Sequence, residues 1–162
     1  MITDFQTLLN ELHIIAMSVS NVIHSSHIGA GELIIARLQK YYEAEFKEGI
    51  AIFIDSSEGV LTDNDSSNVK ISFDLGFTFL KKGKLSDVST QDVALNSTMK
   101  TLVEFVGKLK HFESENEEND NFEILVDNKF SQTGKIVNAD VYGWRAEAKV
   151  SFSVNHLYCN HG

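Results

Sequence analysis

The chain has 162 residues, 43% apolar and 23% charged, and carries a formal charge of −9 from 14 basic and 23 acidic side chains. One domain is expected at roughly 100–200 residues per domain, and a chain of this size buries enough surface to fold without a disulfide or metal staple. The single cysteine, Cys159, excludes an internal disulfide, the net charge argues against wrapping nucleic acid through its phosphates, and no apolar run approaches the ~18 residues of a membrane span.

The N-terminus shows no basic segment of the signal-peptide kind, because Asp4 precedes every Lys and Arg. Proline is absent, where ordinary usage would give about eight, so turns fall to Gly, Asn, Asp and Ser. Phe5, Leu8, Leu9, Leu12, Ile15, Ala16, Val19, Val22 and Ile23 recur at helical spacing and predict a helix over about 3–24. Thr3 and Gln6 have the spacing of a capping box at its start. His24-Ser25-Ser26-His27 and then Gly29-Ala30-Gly31 read as a break. Leu33, Ile34, Leu38, Tyr41, Tyr42 and Phe46 give a second helix within Glu32–Lys47, with Gly49 at the position of a left-handed cap.

From Ile50 the period changes to two. The continuous run Ile50–Ile54 predicts a strand over about 50–55 that is covered on both faces, and Asp55–Asn68 reads as a long polar loop. Val69, Ile71, Phe73, Leu75, Phe77 and Phe79 alternate with smaller or polar residues, a half-buried strand over about 68–80. Leu95, Met99, Leu102, Val103, Phe105, Val106 and Leu109 mark a helix over about 90–111, with Lys108, Lys110 and His111 suited to its negative end. The acidic tract Glu113–Asp120 reads as an exposed loop. Phe122, Ile124 and Val126 give a strand over about 121–127. After a turn at Gly134, Trp144, Ala146, Ala148, Val150, Phe152 and Val154 line one face of a last strand over about 136–154, and Arg145, Glu147, Lys149, Ser151 and Ser153 form a charged and polar row on the other. Helices set between strand pairs predict a single α+β domain over 1–162, with helices on one face of a small, mostly antiparallel sheet.

No catalytic, cofactor-binding or metal-binding residue emerges. His156, Cys159 and His161 lack a fourth ligand and match no closed zinc spacing. His24 and His27 read as a loop pair. Asp63-Asn64-Asp65 starts like a calcium loop, but Asn68 stands where glycine is required and Asp74 falls inside a strand. Gly29-Ala30-Gly31 follows no strand in this reading and lacks the third glycine of a phosphate loop. Cys159 has no orienting group for a thiol nucleophile, and the sequons at Asn64 and Asn96 matter only on secretion. Trp144 is either a core anchor or an interface anchor.

The pattern resembles the tail-terminator type of neck protein from tailed bacteriophages and prophages of Bacteroidota. The resemblance rests on the helix from Thr3 to Ile23, the strands Ile50–Ile54 and Val69–Phe79, and the helix around Leu95–Leu109. The ending F-E-I-L-V-D … V-Y-G-W-R-A-E-A-K-V-S-F-S-V, in which Gly143-Trp144 opens the closing strand, adds to it. A helix at Tyr41-Tyr42 departs from that family, which often has a loop and short strand there. The resemblance implies a structural virion protein of the neck or tail, made in the host bacterial cytoplasm. It implies no enzymatic activity and no cofactor. Such a protein forms a homo-oligomeric ring, commonly a hexamer, against connector or tail-tube neighbours, and DNA passes through without specific binding or contact with membrane. Another neck ring or head–tail adaptor, a class that includes twelvefold rings, is the alternative in that setting. A small acidic cytoplasmic protein-binding module, monomeric or dimeric, is the alternative from outside it.

Overall fold

The computed structural model describes residues 2, 4–29, 36–38, 40–42, 48–63, 69–120, 122–133 and 140–154, with residues 117–120 as backbone. Helix α1 spans Phe5–Met17. Its cap is Asp4, whose carboxylate accepts from Thr7 N at 2.8 Å; Thr3, expected to cap it, lies outside the described residues. The helix is shorter than the expected 3–24. Ser18 Oγ turns back onto Ile15 O at 2.7 Å, and Asn21, at φ 64°, redirects the chain. Val19 and Val22 still reach the core from the turn and the next strand, so the apolar spacing outlasts the helix that began it.

That next strand, β1 (Val22–Gly29), replaces the expected break. It pairs in parallel with β2 (Ile50–Asp63), from Val22 opposite Ile50 to Gly29 opposite Asp55. Between them in sequence lies α2, of which residues 36–38 and 40–42 are described as helical. Gly49 has a positive φ of 141°. β2 pairs antiparallel with β3 (Val69–Lys82), and β3 with β6 (Val141–Ser153). The two short strands β4 (Glu123–Val126) and β5 (Ser131–Thr133) both pair antiparallel with β6. The sheet order is β1-β2-β3-β6-β4, with β5 beside β6. One parallel pair in an otherwise antiparallel sheet makes the fold α+β.

Two further expectations change. β2 does not stop at 55: it runs to Asp63, so most of the expected polar loop is strand, with a bulge between Ser56 and Glu58. Its outer part carries no alternation because neither side is buried there. Helix α3 runs from Val88 to Asp120 rather than over 90–111. The acidic tract continues the helix, tied back by His111–Glu115 at 3.3 Å and by Asn116 Nδ2 donating to Phe112 O. Lys108, Lys110 and His111 are therefore in mid-helix. Glu113 accepts from Ile124 N at 2.6 Å and Lys110 Nζ donates to Ile124 O at 2.6 Å, clipping the helix to β4. The closing strand as described starts at Val141, after Asp140; residues 136–139 of the expected range and the Gly134 turn lie outside the described residues, and β5 carries no apolar alternation to announce it.

The helices α1 and α3 cover one sheet face. Leu8, Leu12, Leu102, Phe105 and Leu109 pack on Ile52, Ile54, Phe77, Phe79, Ala146, Val150 and Phe152. Val103, placed by spacing on the buried side, is 60% exposed. A smaller cluster lies on the opposite face, where Leu38 and Tyr42 of α2 meet Ala51, Phe53, Leu80 and Val141. The two long helices thus share a face as expected, and α2 adds a second layer over one end of the other. Gly143 lets β6 approach β3: a Cβ there would lie 1.7 Å from Phe79 O.

Candidate functional site

Beyond α2 the second sheet face carries polar side chains and no helix among the described residues. Its centre is a bridge across three strands. Arg145 on β6 reaches over β3, its Nη1 and Nη2 donating to the two carboxylate oxygens of Asp55 on β2 at 2.5 and 2.9 Å. Nη1 also donates to Thr78 Oγ1, and Nε donates to Glu147 at 3.2 Å. Gly76 provides the path, since a Cβ there would meet the guanidinium at 2.0 Å. The two-point contact with Asp55 raises the pKa of Arg145 further above its ordinary value. Asp55 is only 4% exposed, so this pair clamps β2, β3 and β6 together.

Outward from the bridge the face becomes wetter. Asp74 lies opposite Lys149, Ser72 Oγ is 2.8 Å from Ser151 Oγ, and Leu125 of β4 is 54% exposed. A trough of about 520 Å³ is lined by Asp74, Lys149 and Leu125 together with Arg145, Glu147 and Asp127. The outer part of β2 pairs with β3 on one side only, because β1 ends opposite Asp55. Val60 and Leu61 on this arm are 46% and 53% exposed.

A separate cleft of about 660 Å³ opens where the first turns of β1 and β2 meet α3, with Ile23 and Gly49 on its floor and Lys81, Lys100, Ser97 and Thr101 on its walls. A neighbouring hollow shares Gly49 and Lys81 and adds Lys82, Lys84 and Thr90. Two carboxylates, Glu48 and Glu104, border the larger cleft, and Glu104 Oε1 is already held by Ser20 N and Oγ at 3.2 Å.

The histidines read as a loop pair lie on β1 and point to opposite faces. His24 stacks on Tyr41 with ring centroids 4.2 Å apart, and its Nε2 meets Ser26 Oγ at 3.0 Å. His27 sits edge-on to Phe5 and its Nε2 is 3.3 Å from Ser56 Oγ. Burial lowers both pKa values; His13 adds to the effect at His24 and Arg37 at His27, where Asp55 opposes it. Burial likewise raises the pKa of the Tyr42 phenol. Trp144 packs on the helix-covered core and donates Nε1 to Leu95 O at 3.1 Å, which makes it a strut between β6 and α3. Gly29 ends β1, Asp63 ends β2 and Asn96 is exposed on α3. Asn64, Asp65, His156, Cys159 and His161 lie outside the described residues. Among the described residues no three His, Cys, Asp or Glu side chains converge as metal ligands, and no helix is long and apolar enough to cross a membrane.

Sequence reasoning missed the Asp55–Arg145 bridge. Asp55 opens the expected polar loop and Arg145 stands in the charged row of the last strand; the signal available was a charge following directly on the buried run Ile50–Ile54. The lysine cleft was missed because its walls come from β3 and α3, joined only by folding. No protein-family model and no curated protein matches this sequence.

Proposed function

We propose that the protein is a structural assembly subunit that works by joining copies of itself, and the virion neck ring of the tail-terminator type is the setting that best suits it. The observation that carries this reading is the second sheet face, which is bridged by charge at its centre, open beyond α2 and extended by the β2–β3 arm. A ring needs two different, mutually matching patches on each subunit. An open face and a projecting arm with exposed Val60 and Leu61 supply two such patches on one chain. Neither requires a catalytic step or a bound cofactor. The charge of −9 per subunit would line a ring with a wall that repels DNA, so that a genome passes without adhering.

Mass photometry and negative-stain electron microscopy on the purified protein test the reading. One discrete closed oligomer, a hexamer in the simplest case, is the expected result. A particle that stays monomeric over the whole accessible concentration range overturns it, and leaves a small protein-binding module as the better description.

A further inference from the structure

The cleft between the start of β2 and α3 holds charges of both signs that do not neutralise one another. Lys81 and Lys100 stand in its walls, Glu48 and Glu104 border it, and among the described residues no ion pair joins any two of them. Lys100 and Glu104 are one turn apart on α3, the spacing at which such a pair ordinarily closes. Glu104 turns instead to Ser20, whose N and Oγ both donate to Oε1 at 3.2 Å, and its Oε2 accepts no hydrogen bond from a described residue. Lys81 is drawn to Ser97, its Nζ 3.5 Å from Oγ. Ser97, Thr101 and Glu104 follow one stripe of α3, and Thr101 is only 4% exposed. Its hydroxyl makes no hydrogen bond with any described residue, so it is placed to meet a ligand atom in the cleft. Glu48 lines both the cleft and the hollow next to Lys81, and offsets one of the two lysines. Lys82 and Lys84 line only that hollow, beside Asp87 and Asp140, and do not enter the balance. What remains is one positive charge shared by Lys81 and Lys100 and one negative charge at Glu104.

A simple anion would meet two carboxylates there and a simple cation two lysines, so neither is complementary. Among the described residues no aromatic ring lines the cleft, which removes the stacking platform a nucleobase uses. The complement is a molecule charged at both ends. From Ser97 to Glu104 the helix rises about 10 Å, the length of roughly three extended residues. The two charges of a free amino acid hang from one carbon and do not span it. The volume of about 660 Å³ is in the range of small-ligand clefts. We propose that this cleft binds a short peptide, about three residues long, by its two free ends. The carboxylate lies between Lys81 and Lys100, the ammonium donates to Glu104 Oε2, and Thr101 Oγ1 bonds a peptide group between them. The site then reads length and free ends rather than side chains. It does not depend on the self-assembly reading, which uses the second sheet face and the β2–β3 arm.

Isothermal titration calorimetry with tri-alanine at neutral pH tests it. Saturable one-to-one binding is expected, with a Kd of about 1 mM or lower. Acetylating the N-terminus or amidating the C-terminus of the peptide should each weaken binding about tenfold, because each removes a charge-assisted contact. Free alanine and inorganic phosphate should bind more weakly than tri-alanine by about the same factor. Glu104→Gln should weaken tri-alanine about tenfold yet leave the acetylated peptide unaffected, and Lys81→Gln should behave likewise toward the amidated one. A merely structural role would lower both peptides equally. Thr101→Val, which keeps the shape and removes the hydroxyl, should weaken tri-alanine severalfold. Thermal melting checks that each variant stays folded, and the peptide series on wild type decides the matter if one does not. No binding of tri-alanine to wild type at about 10 mM overturns the proposal. So does tighter binding of phosphate, which would make the cleft a plain anion site. Equal binding of free alanine refutes the span, and equal binding of the blocked peptides refutes recognition of the ends. Each of these failures leaves the assembly reading where it stood.

Discussion

The two faces of the sheet are built on opposite physical terms. Under α1 and α3, β2, β3 and β6 present Ile, Phe, Ala and Val to two helices, and cohesion comes from apolar area removed from water. On the other face, beyond the small apolar cluster under α2, the same three strands present Asp55, Thr78 and Arg145, and cohesion there comes from one desolvated ion pair with its remaining hydrogen bonds satisfied. The first face tolerates little change of volume. The second depends on keeping both partners of a pair, and its outer half has no apolar layer over it, which leaves it available for contact.

Breaking the apolar face should cost most. Phe105 is fully buried with its ring centroid 5.0 Å from Phe77 and 5.4 Å from Phe79, so Phe105→Ala should lose about 3–5 kcal/mol in urea unfolding. A loss below about 1 kcal/mol would mean that α3 does not rest on the sheet at this point. Gly143→Ala drives a methyl into the Phe79 carbonyl and should cost about 3 kcal/mol or more, read as a lower urea midpoint, unless β6 shifts its register.

On the charged face, Arg145→Met strands a buried Asp55 and should cost about 2–3 kcal/mol, less than a fully enclosed pair because Arg145 keeps some solvent contact. Adding Asp55→Asn to Arg145→Met should recover a good part of that loss. If the double variant is no more stable than Arg145→Met, the bridge is not what holds the three strands.

The smallest effect concerns pH. His24 and His27 have lowered pKa values in the fold, so below about pH 6.5 the unfolded chain binds more protons than the native one. Stability should therefore fall as pH drops from 7 through the depressed folded values, and flatten below them. The His24→Gln variant should show a shallower decline. A flat stability profile between pH 7 and 5.5 in the wild type would contradict the burial assigned to both rings.

How much was legible depended on whether a pattern had a single physical cause. The alternation from Val69 to Phe79 has one cause, a strand with one wet face, and those side chains do line the covered side or its margin. The spacing from Phe5 to Ile23 had two. The helix supplies it up to Met17, and a turn and a strand supply the rest by reaching the same core. The polar stretch after Asp55 and the acid run after Glu113 were read as loops because composition reports exposure, and exposed strand and exposed helix have it too. For the candidate surfaces the legible part was a charged row on the last strand. Its pairing with Asp55 was not, because 90 residues separate the partners.

By itself the sequence determined the α+β class, an acidic surface, which side chains of β3 and β6 turn inward and, Val103 excepted, the inward stripe of α3, because periodicity and burial are properties of a local stretch of chain. The tertiary structure alone decided that β1 joins the sheet in parallel, that Arg145 crosses Gly76 to reach Asp55, and that lysines from β3 and α3 share a cleft. Each of those depends on residues far apart in the chain, and only the packed sheet sets the distance between them.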